Sequence, residues 1–231
     1  MSMRPAVLVS ADSEWRGVLA RFPSAQLRRS PFGDWFETRL ENHPAVGFFF
    51  GGWGKISAAA SVQWAVDHWR PDLLINLGTC GGFAGCVQRG EVILAEGALA
   101  YDIIEMMSDP QQALDFYTTR FDLSWLREPY PHPVRRAWMV SADRDLQPAD
   151  IPELMERYGA VAADWESAAI GWVARQNSLP CLILRGVSDL VSPVEGGEAY
   201  DHVDVFHSAA QEILAGLVDA LPRWLDCADL A

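Results

Sequence analysis

Short apolar runs alternate with amphipathic helical stretches along this 231-residue chain, and that alternation leaves few folds open to it. Strands buried on both faces read as continuous apolar runs, and helices between them supply the cover. Ala6–Ser10, Ala45–Phe50, Leu73–Asn76, Glu91–Ala100, Ala160–Ala163 and Pro180–Gly186 have this character. Asp34–Leu40 and Trp138–Val140 alternate in the manner of half-exposed strands. Helices are predicted over Asp12–Phe22, Lys55–Trp69, Ile151–Arg157, Trp165–Asn177 and Val203–Leu221. The second presents Ile56, Ala59, Ala60, Ala65, Val66 and Trp69 on one side; the last presents Val203, Phe206, Ala210, Ile213, Leu214, Leu217 and Leu221. Proline-rich Ser108–Pro133 reads as a long loop. No repeat, low-complexity tract or linker divides the chain. The expected fold is therefore one α/β domain, a three-layer sandwich with helices flanking a mixed central sheet.

Composition narrows the partners. Eighteen basic residues against 31 acidic ones give a net charge of -13, which repels a phosphate backbone and argues against nucleic acid. No run approaches the ~20 apolar residues of a membrane span. Met1-Ser2-Met3-Arg4-Pro5 leads into an apolar run that Asp12 and Glu14 end too early for a signal peptide. The four cysteines lack C-x-x-C spacing, and Cys80 and Cys181 lie in strand-like surroundings; reduced thiols in a cytoplasmic protein are expected. The five histidines form no H-E-x-x-H pattern, and neither a metal nor a cofactor is expected. Ten tryptophans suit a core or a subunit interface.

Ligands of open α/β sheets bind beyond the carboxyl ends of the strands, and three segments put unusual residues there. In Asn76-Leu77-Gly78-Thr79-Cys80-Gly81-Gly82 three glycines let backbone amides approach a ligand, although a glycine-rich turn has the same composition. In Arg185-Gly186-Val187-Ser188-Asp189 an aspartate follows an apolar strand, a costly placement unless it is hydrogen-bonded or used. Leu190 occupies the last glycine position of a serine-hydrolase elbow, so that chemistry fits poorly. In Asp164-Trp165-Glu166 two carboxylates flank an aromatic wall at a helix start, an arrangement suited to a sugar with vicinal hydroxyls, though a helix dipole alone also favours acids there. Gly54-Lys55 lacks the upstream glycine (Phe49) and the Ser/Thr (Ile56) of a phosphate loop. Gly52-Trp53-Gly54 lacks the third glycine of a dinucleotide fingerprint, with Ser57 in its place.

With Ser10-x-x-x-Glu14, Gly52-Trp53-Gly54-Lys55-Ile56-Ser57-Ala58-Ala59 and Arg89-Gly90-Glu91-Val92, these segments resemble the nucleoside phosphorylase and nucleosidase superfamily, in family order from Ser10 to Asp189. The resemblance is greatest to 5'-methylthioadenosine/S-adenosylhomocysteine nucleosidases. It implies cleavage of a purine nucleoside's N-glycosidic bond by a homodimer. Asp189 would protonate N7 of the leaving purine, held by Ser188; Glu166 would bind the ribose 2'-hydroxyl; Glu14 would orient or deprotonate the attacking water. Such an oxocarbenium-like reaction needs a protonated leaving group, an electrostatic partner for the sugar and a positioned nucleophile. Thr79, Cys80 and Gly81 would border ribose and base, and Asp145 and Leu146 would pack against the base. Trp165 would lie under the sugar where the family has methionine, and Asp164 replaces a glutamate. Asp145 stands where an aromatic is common. Tyr200 or Phe206 would close the pocket, and Arg185 would belong to an anion site. The superfamily's phosphorylases carry an early Gly-Asp-Pro, whereas this chain has Ala11-Asp12-Ser13-Glu14; water is the expected nucleophile. Phosphorolysis and a nucleoside-binding domain without turnover are the alternatives.

Overall fold

The computed structural model describes residues 3–200 and 202–230. Met1, Ser2 and the side chain of Val203, all part of the sequence reading, lie outside the described residues. In chain order the elements are β1 (Pro5–Val9), α1 (Asp12–Arg21), β2 (Arg28–Arg29), β3 (Asp34–Leu40), β4 (His43–Phe50), α2 (Gly54–Trp69), β5 (Leu73–Phe83) and β6 (Val92–Ala100). There follow α3 (Pro110–Phe116), β7 (Thr118–Arg120), β8 (Arg135–Ser141), α4 (Ile151–Tyr158), β9 (Ala160–Asp164), α5 (Ser167–Gln176), β10 (Cys181–Ser192), β11 (Gly196–Gly197) and α6 (Val203–Asp226).

The apolar runs become buried strands of one mixed sheet, as expected. β1 lies parallel to both β4 and β5, and all five of its residues are buried. Helices α1 and α6 pack on each other, α1 bringing Gly17 against Leu214, while α2 packs on α5. Ala210, Leu214, Leu217 and Leu221 of α6 are buried, so its amphipathic stripe faces the core.

Part of the sheet closes on itself, which linear pattern did not reveal. β5 pairs with β10, β10 with β6, β6 with β8, β8 with β9, and β9 returns to β5. Closure is possible because β5 and β10 are long, at 11 and 12 residues. The glycine-rich segment after Leu77 is thus strand rather than turn. Asp189 likewise lies inside β10, past its predicted end at Gly186.

Three further expectations change. Ile56 is 84% exposed; Ala65 and Trp69 of the expected face of α2 are buried, and Ala58 and Val62 complete it in place of Ile56, Ala59, Ala60 and Val66. The 108–133 loop contains α3, capped by Asp109, and β7, which pairs with β6. Helix α5 starts at Ser167, so Asp164 ends a strand and Glu166 is the residue before the first turn.

Candidate active site

The candidate site is built on the carboxyl-terminal halves of β5 and β10, against which the first turn of α1 and the β9–α5 junction are held by Glu14, Asp164 and Glu166. Glu14 projects from the first turn of α1 and is 2% exposed. Its Oε1 accepts hydrogen bonds from the Thr79 amide (2.7 Å) and hydroxyl (2.8 Å), and its Oε2 accepts one from the Ala11 amide (3.2 Å).

Arg185 enters from β10 and is 1% exposed. Gly78 is glycine for its sake: a Cβ there would collide with Arg185 Nη1 and come within 3.1 Å of Glu14 Oε1. The guanidinium therefore lies beside Glu14. It is paired with Asp164 through Nε (2.9 Å) and with Glu166 through Nη2 (3.5 Å), and Nη1 donates to the Thr79 carbonyl (3.4 Å). Each of its three nitrogens thus has an acceptor among the described residues.

Glu166 is buried and accepts a hydrogen bond from the Gly54 amide (3.1 Å). Gly54 has φ of 79° at the start of α2, and a Cβ would press on Asp143 Oδ1, so glycine is the residue suited to presenting that amide. Burial pushes the Glu166 carboxyl up to about 8; Arg185 pulls against this, while Asp164 and Glu14 add to it.

A bulge sets the position of Asp189. Val187 pairs with Cys80 and Asp189 with Gly81, leaving Ser188 as the extra residue. Asp189 thereby shares a face with Gly81 and Thr79 instead of continuing the alternation from Arg185. It is 6% exposed, and Ser188 Oγ donates to its Oδ1 at 2.6 Å. Burial raises its carboxyl above the ordinary range; Ser188 and Arg89 oppose this, and Glu198 and Asp145 reinforce it. Buried Cys80 lies between the two acidic groups, its thiol pushed well up by burial and by the charges of Asp164, Asp189 and Glu14, against Arg185.

Glu14, Glu166 and Arg185 therefore form one cluster, and Asp189 stands across Thr79, Cys80 and half-exposed Gly81 from it. Leu146 is buried at the Asp189 end, where the Tyr200 hydroxyl donates to its carbonyl, while Phe206 packs beside His207. Asp145 is exposed, with its charge reaching Asp189 and Tyr200. Trp165 is half-buried near Gly54. Asp164 is placed otherwise than as a sugar ligand: Ser141, Ser167 and Arg185 take its acceptor positions.

The sequence reading missed Ser141, Ser167, Glu198 and the Lys55–Asp102–Asp143 group. Lys55 Nζ pairs with Asp102, and the Lys55 amide donates to Asp143 (2.7 Å). Only strand register brings Ser141 opposite Asp164, and no motif marks it. Among the described residues no three His, Cys, Asp or Glu side chains gather as a metal site.

The fold is a mixed α/β sandwich with a buried acid–arginine cluster at the carboxyl ends of its strands. The chain belongs to the phosphorylase superfamily, whose family model matches residues 29–223. A 5'-methylthioadenosine/S-adenosylhomocysteine nucleosidase of Maridesulfovibrio salexigens is 26% identical over 191 residues, spanning 77% of this chain and 82% of the relative. One from Listeria welshimeri is 27% identical over 192 residues, spanning 74% and 78%. The solved structure of the Helicobacter pylori nucleosidase with butyl-thio-DADMe-Immucillin-A has the same fold, with a TM-score of 0.79 at 13% identity over 98% of this chain and 99% of that one.

Proposed function

We propose that this protein hydrolyses the N-glycosidic bond of a purine nucleoside, with 5'-modified adenosines such as 5'-methylthioadenosine and S-adenosylhomocysteine as the substrate class. One observation carries the choice of water over phosphate. Glu14 already occupies the donors of an anion site, taking the amide and hydroxyl of Thr79 and lying beside Arg185. Phosphate would meet a carboxylate where it needs a cation. A water beside Glu14 meets a proton acceptor.

In this reading the C1'–N9 bond breaks with its electron pair moving to the purine, and Asp189 delivers a proton to N7. Glu166 accepts the 2'-hydroxyl and faces the positive charge growing on the sugar. Water adds to C1', and Glu14 takes its proton. The products are a free purine and a 5-substituted ribose. An acid with a raised pKa is suited to the first step, and burial of Asp189 supports that role. Thr79, Cys80 and Gly81 form the floor, Trp165 lies under the sugar, and Leu146, Asp145 and Tyr200 border the base.

A homodimer accompanies this reading. Trp53, Ile56, Ile104, Met106 and Met107 are exposed, and the Lys55–Asp102 pair ties the two segments carrying them together. Exposed apolar groups gathered in this way suit a subunit contact. No helix among the described residues is long and apolar enough to cross a membrane, and the four cysteines are free, which fits a cytoplasmic protein.

The deciding experiment is a nucleoside panel assayed for free base in phosphate-free and phosphate-containing buffer. Equal base release in both supports hydrolysis. Ribose 1-phosphate formation overturns it, and binding without base release overturns the enzymatic reading.

A further inference from the structure

Arg185 is gripped unevenly. At its Nε edge it meets Asp164 at 2.9 Å and Ser167 Oγ at 3.1 Å, while at the other end Glu166 is 3.5 Å away. Asp164 is itself fixed. It accepts from Ser141 Oγ (2.5 Å), from the Ser167 amide (3.1 Å) and from the Ser167 hydroxyl. Ser141 Oγ in turn accepts from the Ala168 amide at 2.9 Å, so the first turn of α5 is part of the anchor.

This arrangement bears on Glu166. A buried arginine without its main partner would draw Glu166, the other carboxylate within ion-pair distance, into a tight, two-pronged pair, because fork-to-carboxylate geometry is the strongest available to it. A carboxylate held in that way has fewer lone pairs left for a hydroxyl. With Asp164 present, the Glu166 contact stays long.

Resting on the reading of Glu166 as the ribose acceptor, we infer that Asp164 is a positioning residue: with Ser141 and Ser167 it anchors Arg185 and absorbs its charge, leaving Glu166 free to take the 2'-hydroxyl. Asp164 touches no substrate. Its effect reaches the sugar through Arg185.

The readout is discrimination at the 2' position. A purely structural defect weakens ribo- and 2'-deoxyribonucleosides alike, whereas loss of the Glu166 acceptor weakens only the former. Formycin A and 2'-deoxyformycin A are suitable probes, since their glycosidic carbon–carbon bond resists hydrolysis. Calorimetry on the wild type at pH 9, where Glu166 is ionised, should show a preference for formycin A of about tenfold or more, the usual worth of a hydrogen bond to a charged group. Asp164→Asn should reduce that preference to within about twofold, and Asp164→Glu should restore most of it. Ser167→Ala, which keeps the charge and removes one anchor, should lower it by a smaller factor and serves if Asp164→Asn does not fold.

A pH series gives a second readout. Glu166 faces Arg185 from β10, Asp164 from β9, Glu14 from α1 and the Gly54 amide from α2. Removing the Asp164 charge should move the acidic limb of kcat/KM to lower pH. A wild type without 2' preference, or an Asp164→Asn protein that keeps the full preference, overturns the inference. Absence of base release from 5'-methylthioadenosine and S-adenosylhomocysteine, with the formycin pattern intact, would instead overturn hydrolysis and leave the positioning role standing.

Discussion

Asp189→Asn separates proton transfer from hydrogen bonding. Ser188 Oγ lies 2.6 Å from Asp189 Oδ1 and 3.2 Å from the Cys80 carbonyl, and it has a single proton to give. When that proton goes to Oδ1, the acid carries its own on Oδ2, the oxygen nearer Gly81. Asparagine keeps the shape, accepts from Ser188 through its amide oxygen and can still donate a hydrogen bond toward N7. It cannot surrender a proton. General acid catalysis is typically worth 10²–10⁴-fold, or about 3–5 kcal/mol of barrier, so kcat for a purine nucleoside should fall by that factor.

The change in KM should be small, because the hydrogen bond to the base survives. The basic limb of the wild-type pH profile, set by loss of the Asp189 proton, should disappear. 4-Nitrophenyl riboside supplies the control: its leaving group departs without protonation, so its hydrolysis should be nearly insensitive to the substitution. Free base is followed for one substrate and nitrophenolate for the other. Equal losses on both, or near-normal turnover on the purine, would refute the general-acid assignment.

Glu166→Gln should remove activity and gain stability in alkali. Folding raises this carboxyl from 4.5 to about 8, so the folded state holds the extra proton. Its stabilising contribution is complete below pH 4.5 and is lost as pH rises to about 8, a change of a few kcal/mol. Urea midpoints of the variant should therefore rise relative to wild type between pH 5 and 8; parallel curves would contradict the shift. Gly78→Ala puts a methyl group against Arg185 Nη1 and 2.9 Å from Cζ, where the guanidinium cannot move without leaving its carboxylates. A loss of about 3–5 kcal/mol in urea unfolding is expected, and an unchanged midpoint would show that the guanidinium yields. Met107→Asp, at a site 97% exposed, should leave the monomer folded and shift the molecular mass in light scattering from dimer to monomer; an unaltered mass would place the contact elsewhere.

What the chain reveals without coordinates depends on how local the cause is. Strand and helix positions were legible because burial on two faces leaves apolar runs, as in Ala6–Val9 or Leu73–Ile75. The lengths of β5 and β10 were not. Their carboxyl halves carry glycine, serine, arginine and aspartate, which read as loop until closure of the sheet supplies partners for their backbones. Ile56 was misplaced because the buried stripe of α2 runs through Gly54, Ala58, Ser61, Val62, Ala65 and Trp69, putting Ile56 on the opposite face; small residues on both sides of this helix leave its inward face poorly marked. The residues assigned to the site came from five separated segments, and their meeting was legible only through resemblance. Ser141 and Ser167 escaped notice because a serine signals nothing until a buried carboxylate stands opposite.

The buried cluster has a charge imbalance that suits the reaction. Glu14, Glu166 and Asp164 surround a single Arg185, so full ionisation would leave two uncompensated negative charges out of water. The resting protein relieves this by protonating Glu166, raised to about 8 by burial. A sugar acquiring positive charge is the cation this pocket lacks, and its arrival should drive that proton off. A pyrrolidine iminosugar nucleoside, cationic at neutral pH, reproduces the charge without reaction. Calorimetry at pH 7 in buffers of different ionisation enthalpy should show release of nearly one proton per site, since a group of pKa about 8 is then mostly protonated. Glu166→Gln should abolish the release. Binding with no proton exchange, or with uptake, would mean that Glu166 is already ionised at rest and that the imbalance is relieved elsewhere.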